Sequence, residues 1–289
     1  MHRDDERVQR PRLLRPLRPR LDDRARRFRR GVYLLPSLFT MANMFCGYAC
    51  IVHSMRAATD GADRAEQLST AALFIGFAFV LDALDGRIAR MTGTTSAFGV
   101  EFDSLADVVS FGVAPAILAF QWGLQPLGRI GWAAGFLFVA AAAVRLARFN
   151  IQSGSQDKRY FVGLPSPTAA AVPAATVYAY PFGFQTNTEA VPVLAMVIVP
   201  ALLMVSTIRY RSFKTIDLQS RRSYPVLFLF AVGLALLAAQ PQIVLAMMAY
   251  TYLVSAFIGL AWHRLRKRPP DQKDDQNAGP KEQGPAAAS

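Results

Sequence analysis

The sequence predicts an all-α, polytopic membrane helical bundle, on three observations. Of its 289 residues, 53% are hydrophobic and only 18% charged, against roughly a quarter charged in soluble domains, and the mean hydropathy is +0.23. The apolar residues gather into blocks close to the length that crosses a bilayer. The links between the blocks alternate between basic and non-basic, as the positive-inside rule requires of a chain that crosses repeatedly.

Residues 1–31 contain twelve arginines against five acidic residues and stand directly before the first apolar block. That position marks a cytoplasmic anchor rather than a nucleic-acid arm, although the net charge of +12 would suit either. The run Arg26-Arg27-Phe28 is similar to a twin-arginine export signal. No small-residue cleavage site follows it, so the first block reads as a retained helix.

The spans are expected at 32–54, 69–90, 99–120, 128–147, 167–185, 190–208, 223–240 and 242–262. The link 55–68 is nearly balanced in charge, and those near 121–127, 186–189 and 240–241 contain no Lys or Arg. The other links contain Arg87 and Arg90, then Arg145, Arg148, Lys158 and Arg159, then Arg209, Arg211, Lys214, Arg221 and Arg222. An even number of crossings puts both termini and all the basic links in the cytoplasm, at an inner membrane. The tail, 263–289, begins with more basic residues and turns rich in Pro, Gln, Gly and Ala, the composition of a disordered segment. Cys46 and Cys50, four apart in the first block, are read as small packing residues, since an intrahelical disulfide is geometrically disfavoured. His2, His53 and His263 form no cluster, which leaves a zinc site without ligands.

The second and third blocks contain charge that insertion does not tolerate without cause. Asp82 and Asp85 are three apart and Asp103 and Asp107 four apart, so each pair lies on one helix face. The pairs end one span and begin the next, which brings them together at the cytoplasmic surface. A carboxylate near hydrocarbon costs on the order of 2–3 kcal/mol, and the nearby Arg87 and Arg90 are too few to neutralise four Asp and Glu101. Divalent cations solve the problem, and oxygen-only ligands favour Mg²⁺ or Mn²⁺, with two ions balancing four charges. Helix capping or surface pairing explains one such pair but not two facing ones. Gly86 and Gly99 mark close backbone approach, by a neighbouring helix or, beside Asp85, by a ligand.

These residues read Asp82-x2-Asp85-Gly86-x2-Ala89-Arg90-x8-Gly99-x3-Asp103-x3-Asp107, and the pattern resembles the signature of the CDP-alcohol phosphotransferase family. The resemblance implies a six-helix catalytic core, here 32–208, with 209–262 as two additional transmembrane helices. It also implies a dimetal site, a homodimer and a CDP-linked lipid donor. Asp82, Asp85, Asp103 and Asp107 would be metal ligands, with Asp107 also the general base. Gly86, Ala89, Arg90 and Gly99 would line the CDP-diacylglycerol pocket.

Three further stretches are similar to the phosphatidylserine synthase branch of that family. They are 35–47, 102–115, and Arg145-Leu146-Ala147-Arg148-Phe149-Asn150 with 163–167; Ser37 departs from that branch, which often has Asn there. The resemblance implies L-serine as acceptor, with another alcohol, glycerol 3-phosphate or an inositol compound, as the alternative. Arg145, Arg148 and Asn150 suit the carboxylate of an amino acid, and the same arginines also satisfy the positive-inside rule alone. Thr40 and Asn43 share a face of the first helix and fit either donor binding or interhelical hydrogen bonding. A cation transporter would place its carboxylates at midplane between two related halves; here they sit at one membrane face in one segment.

Overall fold

The computed structural model describes residues 21–59, 61–93, 96–152, 160–206, 209–211 and 223–266. The first twenty residues, the predicted tail beyond Arg266, and Lys158, Arg159, Lys214, Arg221 and Arg222 lie outside them, while residues 263–266 of that tail continue the last helix. Among the described residues, eight helical rods follow in order: α1 (Leu21–Thr59), α2 (Arg64–Thr92), α3 (Ala97–Leu127), α4 (Arg129–Gln152), α5 (Ser166–Ala179), α6 (Asn187–Val205), α7 (Ser223–Ala239) and α8 (Pro241–Arg266). Five segments among the described residues are long and apolar enough to cross a membrane: Ser37–Thr59, Arg64–Thr92, Ala97–Leu127, Arg129–Ile151 and Asn187–Val205. The protein is an all-α, polytopic membrane protein.

Small residues pack between larger buried side chains such as Phe111, Trp122 and Phe138 in the core. Ala71, Ala72 and Ala78 of α2, Ala114 and Ala119 of α3, Ala142 of α4 and Ala169 and Ala170 of α5 are all buried. Membrane helices associate through close packing rather than a hydrophobic drive, and small side chains let backbones approach. Other large apolar side chains, such as Phe45, Phe77 and Phe136, are exposed, the arrangement a lipid-facing surface needs. Cys46 and Cys50 are both free and buried, as packing residues should be.

Several boundaries differ from expectation: α1 begins at Leu21 rather than 32 and ends at Thr59 rather than 54, and α4 runs to Gln152 rather than 147. Two further differences have identifiable reasons. α5 ends at Ala179, six residues before the expected 185, because Tyr180 leaves the helix and Gly183 turns at φ +74°. A Cβ on Gly183 would come within 2.5 Å of the Trp122 carbonyl, so the turn packs tightly on α3. With 14 residues, α5 is about 21 Å long, shorter than the hydrocarbon core of about 30 Å, and it is buried along most of its length. α3 runs past the expected 120 to Leu127 with wide π turns at Val108–Val113 and Phe120–Leu124. The first lies just before Pro115, which has no N–H and crowds the carbonyl four residues back. The Ala114 N–H reaches the Val109 carbonyl, five residues back, and the helix continues.

One end of the bundle collects the basic links. Tyr160–Val162, after α4, pairs antiparallel with Arg209–Arg211, after α6. Those two links therefore lie on the same side, as their shared charge predicts.

Candidate active site at the basic end of the bundle

Two helix ends build the site. α2 stops at Gly93, which is left-handed (φ +63°) and donates its N–H to the Ala89 carbonyl. α3 restarts at Ser96, whose hydroxyl accepts from the Gly99 N–H at 3.0 Å. So short a link makes α2 and α3 antiparallel neighbours and sets the end of one beside the start of the other.

The four sequence-predicted carboxylates come together there. One oxygen each of Asp82, Asp85 and Asp103 lies within 4.8 Å of the others. Asp107, one turn further along α3, is buried and in the electrostatic field of all three. At such spacings two like charges repel by about 4 kcal/mol in an effective dielectric of about 20. Asp103 Oδ1 and Asn43 Oδ1 are buried with no hydrogen-bond partner among the described residues. Buried acceptors without donors, in an oxygen-only set, fit hard divalent cations and exclude a thiolate or imidazole zinc site.

α1 supplies the donors that hold the carboxylates. The Thr40 hydroxyl donates to Asp85 Oδ2 at 3.2 Å, and Asn43 Nδ2 donates to Asp107 Oδ1 at 3.3 Å. Thr40 and Asn43, expected to face either a donor lipid or another helix, thus face the acidic cluster. Sequence reasoning missed what brings α1 so close. Ser110 donates its hydroxyl to the Asn43 carbonyl at 2.9 Å, and a Cβ on Gly47 would come within 2.6 Å of Ser110 Oγ. No periodicity signals such a crossing, because it depends on the register of two helices.

The remaining motif residues border the cluster. A Cβ on Gly86 would meet nothing nearer than Arg90 Nη2 at 4.0 Å, so open space lies above that backbone. Gly99 is different: its Cβ would crowd the capping Ser96 hydroxyl at 3.1 Å. Arg90 is exposed and donates from Nε to the Gly86 carbonyl at 2.8 Å, while Ala89 is half-buried between them in sequence.

α4 brings a cation to the acidic cluster. Arg145 interacts electrostatically with Asp107 and Asp82 and donates from Nη1 to Ser166 Oγ at 2.7 Å. Asn150 Nδ2 donates to Ser104 Oγ at 2.9 Å, which ties the end of α4 to the turn carrying Asp103. Arg148 is half-buried, three residues from Arg145. Ser104 and Ser166 went unnoticed in the sequence as partners, since a serine in a membrane helix has many possible roles.

A sequence profile described as CDP-alcohol phosphatidyltransferase matches residues 33–208. A protein of Helicobacter pylori (strain ATCC 700392 / 26695) named CDP-diacylglycerol--serine O-phosphatidyltransferase is 37% identical over 230 residues, covering 78% of this chain and 91% of its own. One of the same name from Mycobacterium leprae (strain TN) is 31% identical over 258 residues, covering 86% and 83%. The archaetidylserine synthase of Methanothermobacter thermautotrophicus is 36% identical over 178 residues, covering 61% of this chain and 69% of its own. With a matched domain from α1 to α6 and relatives similar along most of their length, the chain belongs to the CDP-alcohol phosphatidyltransferase family.

Proposed function

We propose that the protein transfers the phosphatidyl group of CDP-diacylglycerol to the hydroxyl of L-serine, giving phosphatidylserine and CMP. One observation carries this reading: three carboxylates converge within 4.8 Å, with Asp107 in their field and Arg145 beside it, at one end of an apolar bundle. The names of the relatives supply the donor and acceptor.

The roles follow from chemistry. Asp82, Asp85, Asp103 and Asp107 would hold divalent cations, Mg²⁺ or Mn²⁺ and two per site. Such ions, when bound, polarise a diphosphate and stabilise the departing nucleotide. Asp107 takes the proton of the serine hydroxyl as its oxygen attacks the phosphorus. The new ester bond forms, the bond to CMP breaks, and the electron pair leaves with CMP. Asn43 keeps the Asp107 carboxylate oriented through that transfer. Arg145 takes the carboxylate of serine, with Arg148 and Asn150 at the edge of the same subsite. Arg90 pairs with a phosphate oxygen of the donor, and the open face of Gly86 admits the nucleotide. Gly99 and Ala89 border that pocket.

The same reading puts the site and both termini on the cytoplasmic side of an inner membrane, with 32–208 as the catalytic unit of a homodimer and 209–262 as an addition. The deciding test uses membranes containing the full chain, CDP-diacylglycerol and Mg²⁺ or Mn²⁺, and measures CMP release with each alcohol in turn. Release with L-serine supports the assignment. Release only with glycerol 3-phosphate or an inositol compound replaces the acceptor, and no release with any alcohol overturns the reaction.

A further inference from the structure

We propose that α8, which lies beyond the family-matched residues, closes an apolar groove that holds one acyl chain of the lipid donor. This rests on the phosphatidyl-transfer reading above and makes the C-terminal helix part of the donor site. The groove has a volume of ≈ 410 Å³ and runs between α2, α5 and α8, with Gly76, Val80, Pro167, Ala171, Met248 and Tyr252 in its walls. α8 is fixed in place: Ala249 and Leu253 are buried, and the hydroxyls of Tyr250 and Thr176 lie 2.9 Å apart.

Three features point to an acyl chain as the occupant. First, the groove borders the charged site: Tyr252 in its wall interacts electrostatically with Arg145, and Pro167, also in the wall, follows the Ser166 that accepts from Arg145. Second, its depth suits one leaflet. The α2 wall from Ala72 to Val80 covers about 12 Å at 1.5 Å per residue, against roughly 15 Å for half of a 30 Å hydrocarbon core. Third, the volume is limited. At ≈ 410 Å³ it is under half of the roughly 900 Å³ that about 12 Å of a helix about 10 Å across would fill. The groove therefore suits a flexible hydrocarbon chain rather than a helix of a second copy. A molecule with its head at the carboxylates and a tail in the groove must be both charged and lipid-like.

Gly76 offers a clean test, because a Cβ there would meet nothing within 4 Å. Gly76→Phe narrows the groove from α2, and Met248→Trp, at an exposed position, narrows it from α8. With the full chain in detergent, CMP release would be compared for dipalmitoyl and dihexanoyl CDP-diacylglycerol. Each substitution should lower the preference for the long-chain donor about tenfold, the worth of roughly two buried methylenes. In parallel, a donor with a diazirine in mid-chain should crosslink to residues 72–80 and 245–252, and Gly76→Phe should remove that crosslink. Equal effects on both donors, or crosslinks confined to other helices or to a second copy, would overturn the proposal. Crosslinking needs no turnover, so a wild-type chain that labels in the groove yet releases no CMP would refute the reaction and leave the groove standing.

Discussion

Asn43 on α1 donates to Asp107 on α3 across 64 residues of sequence, at 3.3 Å and within the buried core. The bond joins the first rod of the bundle to the carboxylate that the proposed mechanism uses as base. A hydrogen bond to a charged group is worth about 1.5–3 kcal/mol. Asn43→Ala should therefore lower kcat by about 10- to 100-fold through a misoriented base. Asn43→Asp should be worse, since it adds a fifth carboxylate to the cluster. A kcat within twofold of wild type for Asn43→Ala would remove Asn43 from the mechanism.

Asp107 itself can be separated from binding. Asp107→Asn keeps the side-chain shape and removes the base, so turnover should fall by at least about 10²-fold, the usual contribution of a general base. Binding of CDP-diacylglycerol, followed by retention on the purified protein, should be largely kept. Retained turnover would mean that another group accepts the proton.

Much of this site was legible because charge in an apolar helix is expensive and therefore conspicuous. Asp82, Asp85, Asp103 and Asp107 announce themselves by type and spacing alone, and their spacing places each pair on one helix face. The eight rods were legible for the same reason, from blocks of apolar sequence separated by arginines. What the spacing could not supply was the register between helices. Thr40 and Asn43 read equally well as ligand contacts or interhelical bonds until α1 was seen to cross α3 at Gly47 and Ser110. The early end of α5 is likewise set by the packing of the Gly183 turn on Trp122, and the first wide turn of α3 by the missing N–H of Pro115, neither of which hydropathy reads.

That crossing yields a stability prediction. In Gly47→Ala the new methyl would sit 2.6 Å from Ser110 Oγ and 2.8 Å from Ser110 Cα. Because one of those atoms is backbone, rotating a side chain cannot relieve the clash, and α1 and α3 must separate. Overpacking of this kind costs about 1–3 kcal/mol. The thermal midpoint in detergent should drop, and kcat with it, because Thr40 and Asn43 move away from Asp85 and Asp107. Ser110→Ala removes only the 2.9 Å hydrogen bond and should cost about 1 kcal/mol. A Gly47→Ala protein as stable and active as wild type would show that the two helices do not meet this closely.

The acidic cluster predicts metal-dependent stability as well as metal-dependent activity. Without cations, the mutual repulsion of Asp82, Asp85 and Asp103 opposes the packing of α2 against α3. Any ion that binds only the folded site adds stability by mass action, about 2.7 kcal/mol at a hundred times its Kd. Chelation should lower the thermal midpoint and abolish CMP release, and Mg²⁺ or Mn²⁺ should restore both. Asp103→Asn should lose most of the stabilisation by added metal while raising the midpoint of the metal-free protein, since one repelling charge is gone. Unchanged metal stabilisation in that variant would exclude Asp103 as a ligand.

The acceptor subsite is tested by how Arg145 is held rather than by its charge alone. Its guanidinium donates to Ser166 and lies in the field of Asp107 and Asp82, so a hydroxyl and carboxylates both act to orient it. Arg145→Lys keeps the charge but loses the planar fork that matches a carboxylate in two hydrogen bonds. The KM for serine should rise about tenfold or more, with a smaller change in kcat and little change in the KM for CDP-diacylglycerol. Ser166→Ala should shift the serine KM in the same direction by less, because it removes an orienting partner and leaves the guanidinium in place. If Arg145 served only to keep the basic end of α4 in the cytoplasm, lysine would replace it without kinetic effect. A serine KM unchanged in Arg145→Lys would therefore assign the acceptor carboxylate to another cation, and Arg148→Lys would be the next variant to assay.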